Sequence, residues 1–296
     1  MFNYILDLLV LASIFAVVAV GLNLQAGVSG LPNFGIVLFF GIGAYGAGLA
    51  TKASLPWTVG LLGAVLVATA AALLLGRLSG SLPGTYWGIA TLAIAEAVRV
   101  ILFNQDSVFG GAQGIGGVSL PFASLPERTR LILCLLVMIA ILAVCLAISQ
   151  RLIGTQFGRA LRLQREQPEL AASLGHDLIG VRTAILIISG AMAAAAGVFY
   201  AHYIAYTGTS ELEMATTITV WTMVVVGGIG NSYGVVLGAL LIQTLYSTSR
   251  FLGEALNLSA DRTASLRIML IGFALFGFLM LKNDGLLPER LRKIRA

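Results

Sequence analysis

Nine apolar stretches divide the chain, near residues 5–24, 34–50, 56–76, 84–103, 130–149, 183–206, 215–231, 233–251 and 265–281. A helix that crosses hydrocarbon needs about 20 largely apolar residues, and most of these stretches supply them. Segments 34–50 and 215–231 are short, and Gly30, Pro32 and Gly35 interrupt 27–50, which predicts a bent or partly re-entrant element there. The pattern predicts an all-α fold, a polytopic transmembrane helical bundle of about nine spans, with eight to ten compatible. One central stretch breaks it. Residues 150–182, QRLIGTQFGRALRLQREQPELAASLGHDLIGVR, hold Arg151, Arg159, Arg162, Arg165 and Arg182 with Glu166, Glu169 and Asp177 between them. That run cannot sit in hydrocarbon and reads as a large polar loop on one face of a membrane.

Composition sharpens the picture. Of 296 residues, 58% are hydrophobic and only 10% charged, against roughly 25% charged in soluble domains. The mean hydropathy is +0.95, so most of the chain is suited to lipid. The opening MFNYILDLLV carries Asp7 and no basic residue, so a retained first helix is expected rather than a cleaved signal. Cys134 and Cys145 lie about 16 Å apart along one helix, too far to bridge, and read as buried thiols.

The basic residues set the orientation. Arg77, the arginines of 150–182 and the tail residues Lys282, Arg290, Arg292, Lys293 and Arg295 fall on one side, which the positive-inside rule makes cytoplasmic. Fewer (Lys52, Arg128, Arg130, Arg250, Arg262 and Arg267) fall on the other. The C-terminus is therefore expected in the cytoplasm, and the basicity points to membrane topology rather than nucleic acid.

Catalytic and metal constellations do not emerge. His176 and His202 lack Cys or carboxylate partners at ligand spacing, so no metal site is predicted. His202, with Tyr200, Tyr203 and Tyr206, reads as part of an aromatic belt at the outer interface. The external FGGAQGIGG resembles a phosphate loop only in glycine content: none of the three lysines, Lys52, Lys282 and Lys293, follows a glycine as a Walker loop requires. No catalytic residue is assigned. Intramembrane ionisable groups reduce to Glu96 and Arg99, spaced i,i+3 so that they neutralise each other on one helical face. Gly230, Gly234 and Gly238 recur every four residues, predicting a smooth helical stripe, with a turn or helix break at Gly227-Gly228. FFGIGAYGAGLA in the first half has similar texture, and an internal repeat or generic close helix packing would account for both equally well.

Within the polar loop, Pro168 suits a first helical position and Gly175 a helix stop. Between them Glu169, Leu170, Ala171, Ala172 and Leu174 make a two-turn helix too short to stand alone, which needs a partner groove or a lipid surface to lie on. The arginines around it read as setting orientation rather than binding anything specific.

Glu169-Leu-Ala-Ala172 with Gly175, preceded by Gly158-Arg-Ala-Leu-Arg162, resembles the EAA-type coupling loop of bacterial importer permeases. With Gly21-Leu-Asn-Leu24, Phe39-Phe-Gly-Ile-Gly-Ala-Tyr45, the Tyr86–Arg99 span, Gly110-Gly111, Gly114-Ile115, Gly227-Gly-Ile-Gly230, Gly234 and Gly238-Ala239, most of the chain is similar to branched-chain amino-acid ABC transporter permeases. Within that family the M-type subunit for leucine, isoleucine and valine fits best. The chain departs at Ile36, where a His is common, at Val235, where a Pro is usual, and in the tail at Lys282-Asn-Asp-Gly285.

The resemblance implies a single permease domain over 1–296 in a bacterial inner membrane, with cytoplasmic coupling loop 150–182. A second permease subunit, two cytoplasmic ATPases and an extracytoplasmic solute-binding protein would complete the system. ATP and magnesium would bind in the ATPases, and no cofactor in this chain. Glu169, Leu170, Ala171, Ala172, Leu174 and Gly175 would couple to an ATPase. Asn23, Asn33, Gly43, Tyr45, Glu96, Arg99, Gly227, Gly228 and Gly230 are candidates for the translocation path or its gate. Two other readings stay open from the residues alone: an ion-coupled secondary transporter using Glu96, and a non-transporting membrane scaffold.

Overall fold

A computed structural model describes residues 2–80, 82, 84–255, 260–281 and 285–289. The basic tail residues Lys282, Arg290, Arg292, Lys293 and Arg295 lie outside these. Each predicted apolar stretch is a helix: α1 (Phe2–Asn23), α2 (Ile36–Lys52), α3 (Trp57–Leu78), α4 (Gly84–Asn104), α6 (Glu127–Gly154), α9 (Leu178–Ile204), α10 (Met214–Gly227), α11 (Ser232–Ala255) and α12 (Ala260–Leu281). Three short helices lie between them, α5 (Asp106–Phe109), α7 (Gln156–Glu166) and α8 (Pro168–Ser173). Among the described residues, five segments are long and apolar enough to cross a membrane: Phe2–Val28, Trp57–Leu78, Tyr86–Asn104, Glu127–Gly154 and Leu178–Ile204. Helices α2, α10 and the stretch Ser265–Phe278 are apolar but shorter. The protein is an all-α, multi-pass membrane chain, and the one β pairing among the described residues joins Ile115–Gly116 to Tyr206–Thr207.

The polar loop is mostly helical. Helix α6 runs on to Gly154 and α9 begins at Leu178, so 150–182 contracts to α7, α8 and short joints. Helix α7 buries Gly158, Leu161 and Gln164 and leaves Arg159 and Glu166 exposed, the amphipathic habit of a surface helix.

Two triplets of consecutive helices, α1–α2–α3 and α9–α10–α11, organise the bundle. Helix α2 packs against α3 and α9, while α10 packs against α11 and α1; α3 also rests on α9, and α11 on α1. Each short helix is therefore held by its own neighbour and by the first helix of the other triplet. Helices α1 and α9 cross antiparallel, with Tyr203 bonded to Asp7 near one end and Gln25 to Ser189 near the other.

Glycine allows the close contacts. A side chain at Gly43 would lie 2.0 Å from the Ala194 carbonyl, one at Gly197 2.0 Å from that of Phe40, and one at Gly238 2.1 Å from that of Met223. The predicted stripe needs one correction. Gly230 lies outside any helix at φ +90°, and the break falls at 228–231, with Gly228 at φ +111°. Gly227, Gly234 and Gly238 make the α10–α11 contact instead. Gly43→Ala should lower stability by about 1–3 kcal/mol through overpacking. Gly63→Ala, which meets nothing within 4 Å, should be neutral or raise stability by up to about 1 kcal/mol through helix propensity. Thermal unfolding in detergent checks both, and equal effects at the two sites would contradict the packing.

Candidate functional site

Helix α1 does not end cleanly. At Leu24–Val28 it widens into a π turn, and residues 29–35 run without regular structure before α2. Non-helical backbone inside an apolar bundle has no water to bond, so neighbouring side chains must satisfy it. The Asn33 side chain bonds that backbone directly, and Gln25 and Ser189 are linked to it in turn; these three and Asn23 are fully buried. Asn33 Nδ2 donates to Gln25 Oε1 at 2.8 Å, and Gln25 Nε2 donates to Ser189 Oγ on α9. The Gly35 amide donates to Asn33 Oδ1 at 2.7 Å, and Trp221 Nε1 on α10 donates to the Asn33 carbonyl at 3.0 Å. Helix α4 joins through Thr91, whose hydroxyl accepts from the Phe34 amide at 3.1 Å. The Phe34 and Trp221 rings stack at 4.8 Å between centroids.

The second break meets the first. The Gly230 amide donates to Asn23 Oδ1 at 2.8 Å, and a side chain at Gly27 would lie 2.6 Å from the Gly230 nitrogen. Asn23 Nδ2 is buried with no hydrogen-bond partner among the described residues, a donor still available at the junction. Asn23, Asn33, Gly228 and Gly230 thus gather where the two triplets touch. Gly227 stands beside them in the α10–α11 contact, and Gly43 serves the α2–α9 contact.

Tyr45 lies elsewhere. It lines an almost wholly apolar cavity of ≈ 520 Å³ between α2, α3 and α4, with Leu38, Gly41, Gly46, Val98 and Leu102. Its ring meets Phe109 edge-on at 5.8 Å. Beyond the helix ends on that side, burial raises the Glu211 carboxyl above its ordinary range although it accepts from the Gly208 amide at 2.9 Å. Glu96 and Arg99 form the expected pair on α4: Arg99 Nη2 donates at 2.6 Å and Nε at 2.9 Å to the two carboxylate oxygens. Their side chains are 46% and 26% exposed, and the pair is closed on itself.

At the opposite end α8 is built as its residues predict. Pro168 opens it, the Gly175 amide donates to Ala172 and the His176 amide to Ala171, and Gly175 adopts φ +80°. That is a Schellman stop, which glycine permits without strain. Ala171 is buried, while Leu170 and Leu174, i,i+4 neighbours, are 44% and 63% exposed; Glu169 and Ala172 also face outward.

Several expectations change. The arginines of the loop do more than orient the chain: Arg182 donates to the Ser79 carbonyl at 2.8 Å, and Arg165 reaches the Gly27 carbonyl and Glu289. Their long side chains stretch inward from the surface, a reach that sequence charge counting does not reveal. His202 is buried rather than set in an exposed belt, with Nδ1 2.9 Å from the Ser119 carbonyl of the loop between α4 and α6. Gln25 was open to detection, since GLNLQAG carries two amide side chains in an apolar run. Ser189, Thr91 and Trp221 leave no such signal.

The chain matches the model of the family described as branched-chain amino acid transport system / permease component over residues 4–279. It is 31% identical to the probable branched-chain amino acid transport permease protein LivM of Methanocaldococcus jannaschii, covering 94% of this chain and 91% of that one. It is 30% identical to the high-affinity branched-chain amino acid transport system permease protein LivM of Escherichia coli K12, covering 80% of this chain and 61% of that one. Against the LivH permease protein of Salmonella typhimurium the identity is 26%, over 78% and 80%.

Asn33→Ala would orphan Gln25 Oε1 and the Gly35 amide and should cost about 1–3 kcal/mol in thermal unfolding. An unchanged midpoint would contradict the buried network.

Proposed function

The chain belongs to the branched-chain amino acid transport permease family, and from that premise we infer that it is the membrane permease subunit of an ABC importer for branched-chain amino acids. One structural observation supports the reading above others. A buried junction of two broken helices sits where inverted triplets meet, and the short helix α8 presents Leu170 and Leu174 outward from the same end of the bundle. Transporters that alternate access place substrate contacts at such discontinuities.

In this reading the loop end faces the cytoplasm, the C-terminus lies on that side, and the chain crosses a bacterial inner membrane nine times. Two ATPases bind ATP and magnesium and close on each other; α8 receives the motion. A second permease subunit completes the pore, and an extracytoplasmic binding protein delivers the amino acid. Asn23, Asn33, Gly228 and Gly230, with the Phe34–Trp221 pair, form the gate, and Tyr45 with its apolar cavity offers a surface for an aliphatic side chain. Work comes from the partner chains, and this one is a transport subunit.

Glu96 is the discriminating residue. An ion-coupled carrier needs a carboxylate that exchanges its cation, whereas Glu96 is held by two bonds from Arg99. In proteoliposomes holding the full complex, leucine uptake should require ATP. Replacing both members together, Glu96→Gln with Arg99→Gln, should change it by less than roughly fivefold, since such an exposed pair contributes about 0–1 kcal/mol. Uptake driven by an ion gradient alone, and abolished by Glu96→Gln, would overturn the reading.

A further inference from the structure

Arg165 lies one turn before α8, touches the first broken element of the junction directly and reaches the second through Glu289. Its Nη1 donates to the carbonyl of Gly27 in the π turn and to Glu289 Oε2 at 3.1 Å; Nη2 lies 3.2 Å from Glu166. Arg162 Nε lies 3.4 Å from Glu289 Oε1. Arg165 and Glu289 are mostly buried, at 22% and 17% side-chain exposure.

The backbone around them is cut to fit. A side chain at Gly30 would come 2.5 Å from Arg165 Cγ, and one at Gly230 would come 2.8 Å from Glu289 Cδ. Both glycines have positive φ, +69° and +90°, so each supplies the turn as well as the space. Arg165 is therefore seated against the first break and Glu289 against the second.

The other end of the connection is stiff. Only Gln167 separates α7 from α8, its amide donates to Leu163 at 2.7 Å, and its carbonyl accepts from Ala171 at 3.0 Å. Ala171 anchors α8 by burial. Helices α7 and α8 thus move together, and a shift of α8 displaces the Arg165 guanidinium. A charge-assisted bond in a mostly dry site resists separation, because an abandoned partner cannot regain full hydration.

We propose that Arg165 and Glu289 are the link through which movement of α8 is delivered to the 24–31 and 228–231 breaks, so that they position the gate rather than merely brace the loop. This rests on the reading of the chain as an ATPase-driven permease. Both are positioning residues, acting through Gly27 and Gly230.

The test measures leucine taken up per ATP hydrolysed, together with complex assembly and thermal midpoint, in proteoliposomes of the full transporter. Arg165→Gln should still assemble but lower the ratio by roughly tenfold, the size of a lost charge-assisted bond. Glu289→Gln should lower it less, because the bond to Gly27 survives. The double variant should be no worse than Arg165→Gln, since both changes cut one connection. Arg165→Lys, which keeps charge and donor, should recover part of the ratio. The link is overturned if Arg165→Gln keeps the unaltered ratio, if the two defects multiply, or if uptake falls only in step with assembly and hydrolysis. Absence of ATP-driven uptake in the unaltered complex would instead reject the permease reading itself.

Discussion

Backbone that leaves helical geometry inside an apolar bundle must find every hydrogen-bond partner within the protein, and this structure is arranged around that demand. The demand is concentrated at residues 24–35. Trp221 of α10 and Thr91 of α4 bond this backbone, and Ser189 of α9 holds Gln25 beside it. Glycine keeps two of those helices close: a side chain at Gly35 would lie 2.3 Å from the Thr91 carbonyl oxygen and one at Gly21 3.1 Å from that of Ser189. Packing and polar satisfaction are therefore one problem here. Glycine solves the distance, and amide side chains solve the bonding.

The same arrangement bears on where the bundle can move. A bundle of continuous helices would resist movement along its whole length, whereas a broken one concentrates movement at the breaks. Here both breaks lie side by side, Gly27 against Gly230, at the meeting of triplets that pack reciprocally. Membership of a permease family places transport in this chain. The loop end of the bundle then carries two features of opposite character. Leu170 and Leu174 face outward, and Arg165 faces inward.

Hydropathy read the fold well, because each apolar run was long enough to specify a helix whatever it packed against. The interruption by Gly30, Pro32 and Gly35 located the first break, and Pro168 and Gly175 bounded α8. Legibility failed where a property depends on distant partners. Gly230 looked like a member of a helical stripe, yet its φ of +90° and its contact with Glu289 place it in a turn. The loop arginines looked interchangeable, and only the fold separates exposed Arg159 from Arg165. Ser189 and Thr91 are common residues in membrane helices, so nothing in the sequence marked them as partners of residues 164 and 57 positions away. Glu96 and Arg99 were legible because their partnership is local.

The central claim is that α8 is where a partner's ATP hydrolysis enters this chain. A photoreactive side chain at Leu174, 63% exposed in the free chain, tests it most directly in the assembled transporter. Illumination should join this chain to the ATPase subunit, and addition of ATP should change the yield. Crosslinks to lipid alone, with the ATPase present and active, would contradict the account.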